Sequence, residues 1–135
     1  MQTHAPNIET SDVSRQPTFF PASFTTNGAS TPTVLGGHVE SVIRLETAAP
    51  RPFFRIRFKE LIPNLSSART VITTGFEGPE NTDATINVSR AGFTANPADA
   101  IEAGRELDVQ LLEAGTAVDT AGRRISVFIW IDQGE

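Results

Sequence analysis

The sequence predicts an all-β fold, an antiparallel β-sandwich or jelly roll of about seven short strands, on three observations. Residues 54–59 read F-R-I-R-F-K, an alternation that only a strand sorts onto two faces. Phe54, Ile56 and Phe58 are expected to face a core, and Arg55, Arg57 and Lys59 to face outward. Other short runs rich in β-branched and apolar residues recur at close spacing, separated by Gly, Pro, Asn and Ser. No segment is long enough for repeated helical crossovers, so antiparallel pairing is the natural arrangement. At 135 residues the chain makes one domain with one core.

Taken in order, residues 1–18 are polar, carry Pro6 and Pro17, show no periodicity, and read as an extended arm ahead of a domain spanning 19–135. Phe19 and Phe20 are costly to leave in water and are expected to anchor the arm or join the core. A strand over 22–26 ends at the Asn27-Gly28 turn signal, and 29–37, rich in Ser, Thr, Pro and Gly, reads as a loop. Strands follow over 38–46 and 52–61, joined by a segment with Pro50 and Pro52, and then a loop around Pro63-Asn64. The β-branched run 69–76 is a strand, 77–83 an acidic turn, and 84–90 an alternating strand with Ile86 and Val88 inward. One short helix is expected from Asn96 as N-cap and Pro97 as first residue to Gly104 as terminator. Leu107, Val109 and Leu111 mark another strand, 114–123 a small-residue loop, and 125–131 a last strand apolar on both faces, hence central or at an interface.

Composition narrows the function classes. The longest apolar run, 127–131, is far short of the ~20 residues of a membrane helix, and no signal peptide is visible. With no cysteine, disulfides, thiolate metal sites and cysteine nucleophiles are excluded together. A net charge of −5 argues against nonspecific nucleic-acid binding. The charges are also segregated. Arg44, Arg51, Arg55, Arg57 and Lys59 hold five of the 11 basic residues, whereas 77–119 holds nine acids against Arg90 and Arg105. Either these are two solvated surfaces, or like subunits dock basic face to acidic face.

No catalytic constellation can be named. His4 and His38 lack partners at metal-ligand or triad spacing, and Gly36-Gly37 is a loop pair outside any phosphate-binding motif. Glu77, Glu80 and Asp83 could offer oxygens to calcium, but their spacing matches no calcium loop, and a solvated acidic turn is the better reading. Tyrosine is absent, and Trp130, the single tryptophan, lies in an apolar strand where core or subunit packing is favoured over ligand stacking. The chain is therefore expected to be no enzyme and to need no cofactor or metal.

From Phe19 on, the order of elements resembles a group of small virion proteins of tailed bacteriophages. S-F-T-T-N-G-A-S-T-P (23–32) leads to a Gly-Gly loop, H-V-E-S-V-I-R-L (38–45), an F-x-I-x-F strand (54–58) and a P-x-L segment (63–65). L-D-V-Q-L-L (107–112), a loop with Asp119, and R-R-I-S-V-F-I-W (123–130) complete the series, over about 115 residues. The chain departs from that group in its Arg-rich 51–59 strand, where small polar residues are commoner. The resemblance implies a β-sandwich, often trimeric, serving as a capsid-surface decoration (cement) protein or a small tail or fibre component. It implies a place in the virion after synthesis in the host cytoplasm, with the major capsid protein and copies of itself, as a homotrimer, for partners. Neither nucleic acid nor membrane is among them. Under that reading Arg55, Arg57 and Lys59 are expected to pair with charges on a neighbour, and Phe19, Phe20 and Trp130 to pack at the interface. Replacing the three cations with glutamate is then expected to abolish particle binding without unfolding the domain. A receptor-binding tip of a tail fibre or spike is the alternative.

Overall fold

Strand-forming residues pair in two antiparallel sheets in a computed structural model that describes residues 18–46, 52–62, 70–77, 84–93 and 97–131. The strands among them are β1 (Thr18–Asn27), β2 (Ser30–Gly37), β3 (Val39–Leu45), β4 (Phe53–Phe58), β5 (Thr70–Glu77), β6 (Ala84–Ser89), β7 (Glu106–Glu113), β8 (Thr116–Val118) and β9 (Arg124–Ile131). The first sheet has the order β2-β1-β9-β5 and the second β3-β4-β7-β6, with β8 also paired to β7. Residues 1–17 of the expected arm, with His4, lie outside the described residues, as do Pro63-Asn64, Glu80 and Asp83 of the expected turns, while Thr18, expected in the arm, opens β1.

The all-β sandwich and the inward set of β4 are as the alternation requires: Phe54, Ile56 and Phe58 are fully buried. They meet Phe24 of β1 and Ile125, Val127 and Ile129 of β9 in one core, with the Phe24 and Phe54 rings 5.5 Å apart across the sheets. β9 lies between β1 and β5, the central position that its apolar character demands.

Three local expectations change. The segment 29–37 is strand β2, not loop. It occupies a sheet edge, where Pro32 and two irregularities in register are tolerated because one side of the ladder is unpaired. Part of the 114–123 loop is β8, which pairs with β7 at 111–113 where β4, paired at 106–109, has ended. The two-residue turn before it has Ala114 at φ 53° and Gly115 at φ 81°, the doubly positive pattern of a tight hairpin. The expected helix is a single 3-10 turn, Pro97–Asp99, and Gly104 takes its positive φ in a later turn.

Gly37 is more than a loop pair member. At φ 97° it carries the chain from the first sheet to the second, and a Cβ there would lie 2.2 Å from the Pro21 carbonyl oxygen. That same oxygen accepts the His38 N–H at 3.1 Å, which fixes the crossing. At the opposite end of β1, buried Thr26 secures the turn into β9. Its hydroxyl donates to the Thr120 carbonyl and accepts the Arg123 N–H at 3.0 Å, while its carbonyl accepts the Gly122 N–H at 2.9 Å. Both ends of β1 are thereby held, and with them the register that decides which β9 side chains face outward.

Candidate interaction surface

The cationic face of β4 is closed within the chain. β7 runs beside β4 with Arg55 opposite Asp108 and Arg57 opposite Glu106. Cross-strand neighbours on one face stand about 5 Å apart, so opposite charges there meet directly. Arg55 forks onto Asp108 with Nε to Oδ1 at 2.8 Å and Nη2 to Oδ2 at 3.0 Å, and the Phe93 N–H donates to Oδ2 at 3.0 Å. Asp108 is fully buried and Arg55 only 7% exposed. The connection from β6 to β7 lies over this face: Phe93 packs edge-on against Phe53 at 5.7 Å, and Arg55 reaches the Ala100 carbonyl. Hydrogen bonding to Asp108 raises the Arg55 pKa above its usual value, against the opposing cost of burial.

Arg57 is half-buried and shared among carboxylates, donating to Glu102 at 2.8 Å and Glu106 at 3.1 Å, with Glu40 at 3.6 Å. Those hydrogen bonds, Glu102 first, raise its pKa as well. Arg105 ties the same cluster together, bonding Glu40 at 2.8 Å and the Phe58 and Lys59 carbonyls. Arg44 pairs with Asp119 and Glu46, and its pKa is raised, Glu46 being the leading cause. The segregation of charge along the chain is therefore resolved inside one copy for Arg44, Arg55 and Arg57. Of the three expected interface cations, Lys59 is exposed, Arg57 partly so, and Arg55 faces out of the sheet but is covered.

Among the described residues, nothing covers the outer face of the first sheet. Phe19 and Trp130 stand opposite each other on β1 and β9, their rings stacked at 4.4 Å, and Phe128 stacks on Phe19 at 6.0 Å. Phe19 is 38% and Trp130 41% exposed. Of the two places the sequence left open for Trp130, core or subunit surface, the structure excludes the core: on a strand with Ile125, Val127 and Ile129 facing inward, period two turns Ser126, Phe128 and Trp130 outward. Its neighbour in the pair separates from Phe20, which is buried and packs edge-on against His38 at 5.3 Å. The adjacent phenylalanines thus divide the two roles, one in the core and one on the surface.

Beyond this ledge the face sinks into a groove of about 290 Å³. Its apolar walls include Leu35 and Phe128, while Ser23, Ser126 and Arg124 supply polar groups over small Gly36 and Gly37. A register shift between Gly36 and Val34 leaves Leu35 unpaired in the ladder, and its side chain is 48% exposed beside the groove. The Ser23 and Ser126 hydroxyls are 3.3 Å apart, and Arg124 Nε donates to Ser23 at 3.4 Å.

The structure thus gathers Phe19 and Trp130 into one surface, sends Phe20 inward, and leaves Arg55, Arg57 and Lys59 on the other sheet. Sequence reasoning missed Phe128, Leu35 and Arg124. The outward set of β9 was present as its own period-two pattern, hidden because both sets contain large apolar residues. Among the described residues no group of His, Asp and Glu is arranged to hold a metal ion. Comparison with family models, curated proteins and solved structures finds no match to the chain.

Proposed function

We propose that the chain is a non-catalytic structural module of a tailed-phage virion, a decoration protein that binds the outside of the capsid shell as a symmetric oligomer and stabilises it. The observation that carries this reading is the exposed ledge of Phe19, Phe128 and Trp130, set on a sheet with a groove beside it. Large stacked aromatics left exposed on a folded surface mark protein contact sites. The internally paired charges of the other sheet support the same assignment, since they direct the search for a partner to one face.

Magnitudes favour repetition. Covering the exposed parts of Phe19 and Trp130 removes roughly 150 Å² of aromatic surface from water, about 4 kcal/mol before any cost. Association costs about 4–15 kcal/mol, so one ledge cannot hold a lone copy on a shell. Contacts multiplied by symmetry, with the major capsid protein and with sister copies, can.

Counting copies in purified particles by mass spectrometry and cryo-EM tests the reading. Hundreds of copies over the shell are expected, and absence from the particle overturns it. The second reading, a receptor-binding tip of a tail fibre or spike, draws support from Trp130 being exposed beside the Ser23 and Ser126 hydroxyls, since stacking faces next to polar groups suit sugars. A handful of copies at the tail, with retention on a glycan array, would favour it.

A further inference from the structure

We infer that the open face of the first sheet is covered by a second copy of this chain in a two-fold arrangement, the aromatic ledge of each copy seated in the groove of the other. The face is complementary to itself. Ledge and groove share one surface, with Phe19 and Trp130 toward one end of β1 and β9 and Ser23, Ser126 and Arg124 toward the other. A two-fold axis lying in the interface plane, at right angles to the strands, turns the two faces toward each other and reverses the strand direction, so each ledge meets a groove and both contacts form at once. Phe128 borders both features and falls near the axis, where it meets its own counterpart.

The groove suits an indole in chemistry as well as shape. Leu35 and Phe128 give it apolar walls, and Arg124 gives it a guanidinium, the cation most often found over tryptophan faces. The hydrogen bond from Arg124 to Ser23 is long, 3.4 Å, and survives a ring laid over the guanidinium plane. A three-fold axis along the strands would bring three ledges to one height and leave three grooves empty. The two-fold dimer, in place of the trimer that the phage resemblance implies, fills both grooves.

Four strands about 4.8 Å apart and eight residues long offer on the order of 500 Å² of flat sheet. A standard interface uses about 800 Å² per partner, so the dimer is expected to be weak and reversible. The inference rests on reading the chain as an interaction module and names the partner of its open face.

Sedimentation velocity of the purified full chain from about 1 μM to about 1 mM tests it. A monomer–dimer equilibrium is expected, weakened more than about tenfold by Trp130→Ala, which removes the knob, and by Ser126→Trp, which fills the groove. Circular dichroism melts confirm that both surface variants stay folded. An equimolar mixture of the two is the decisive arm. Each mixed pair keeps one intact contact, the knob of the groove-filled copy in the groove of the knobless one, so hetero-dimer should exceed both homodimers. Ledge-on-ledge stacking predicts no effect of Ser126→Trp and no rescue on mixing, and either result overturns the arrangement, as does a trimer. A monomer at every concentration removes the sister copy as partner. If Trp130→Ala then also loses particle binding, the module reading stands with the shell as the contact of this face; if that variant still decorates fully, the module reading stands and the open face is not its contact.

Discussion

On the second sheet, a covering connection and a row of carboxylates take up what β4 presents outward. On the first, none of the described residues covers the outward side chains of β1 and β9. Both surfaces come from the same period-two chemistry. What separates them is the neighbouring strand. β4 has β7 beside it, with acids in register with its cations, whereas β9 has β1, which answers Trp130 with Phe19. Charges satisfied in place leave a surface with little reason to bind; aromatics stacked in place remain sticky. A cationic stripe in a sequence is thus weak evidence for an interface until the facing strand is known.

If the two faces differ in this way, substitutions should divide between stability and binding. Asp108→Ala should be the most damaging, since it strands the buried Arg55 guanidinium: about 3–5 kcal/mol, read from urea unfolding. Replacing Arg55, Arg57 and Lys59 together with glutamate would set a carboxylate against buried Asp108, so this triple variant tests folding and not particle contact. Trp130→Ala should cost less than about 1 kcal/mol of stability while removing self-association. Equal losses at Asp108 and Trp130 would erase the distinction between the faces.

Gly37→Ala comes next, at about 2–3 kcal/mol, because a side chain there meets both a positive φ and the Pro21 carbonyl. A melting temperature unchanged in that variant would show that the crossing between the sheets is not pinned there. Arg57→Ala should cost under about 1 kcal/mol and lose most of that in about 1 M salt, where exposed pairs are screened over ~3 Å. The Asp108→Ala cost should barely respond to salt, and a parallel salt dependence would place both pairs in the same solvated setting. The smallest effect is a gain: Ala114→Asn, placing Asn before Gly115 at φ 53°, should stabilise by about 1 kcal/mol in the same unfolding assay.

The fold class could be read from F-R-I-R-F-K because alternation over six residues has one structural meaning. The inward set of β4 followed directly, and Phe54, Ile56 and Phe58 are all buried. β2 was hidden because an edge strand tolerates Pro32 and glycines that a central strand cannot, so its composition resembles loop. The partners of Arg55 and Arg57 were present as E-L-D-V at 106–109, a counterpart of the β4 pattern, but pairing depends on strand order, which a linear pattern does not carry. Trp130 was left between core and interface for a related reason: a strand apolar on both faces does not say which face its own sheet leaves open. Phe19 and Phe20 could be recognised as important together, while their division between surface and core depended on the register of β1 against β9.

A protein that carries sticky aromatics on one sheet also has edge strands capable of templating endless addition. β2 ends the first sheet with Pro32, which has no N–H to donate, and with two bulges that break the regular ladder. Proline and bulges at an edge are known obstacles to strand-by-strand growth. Growth along the sheet is therefore discouraged at that edge while contact across its face is left possible, and a molecule present at high local concentration can assemble into finite units without running on into fibres.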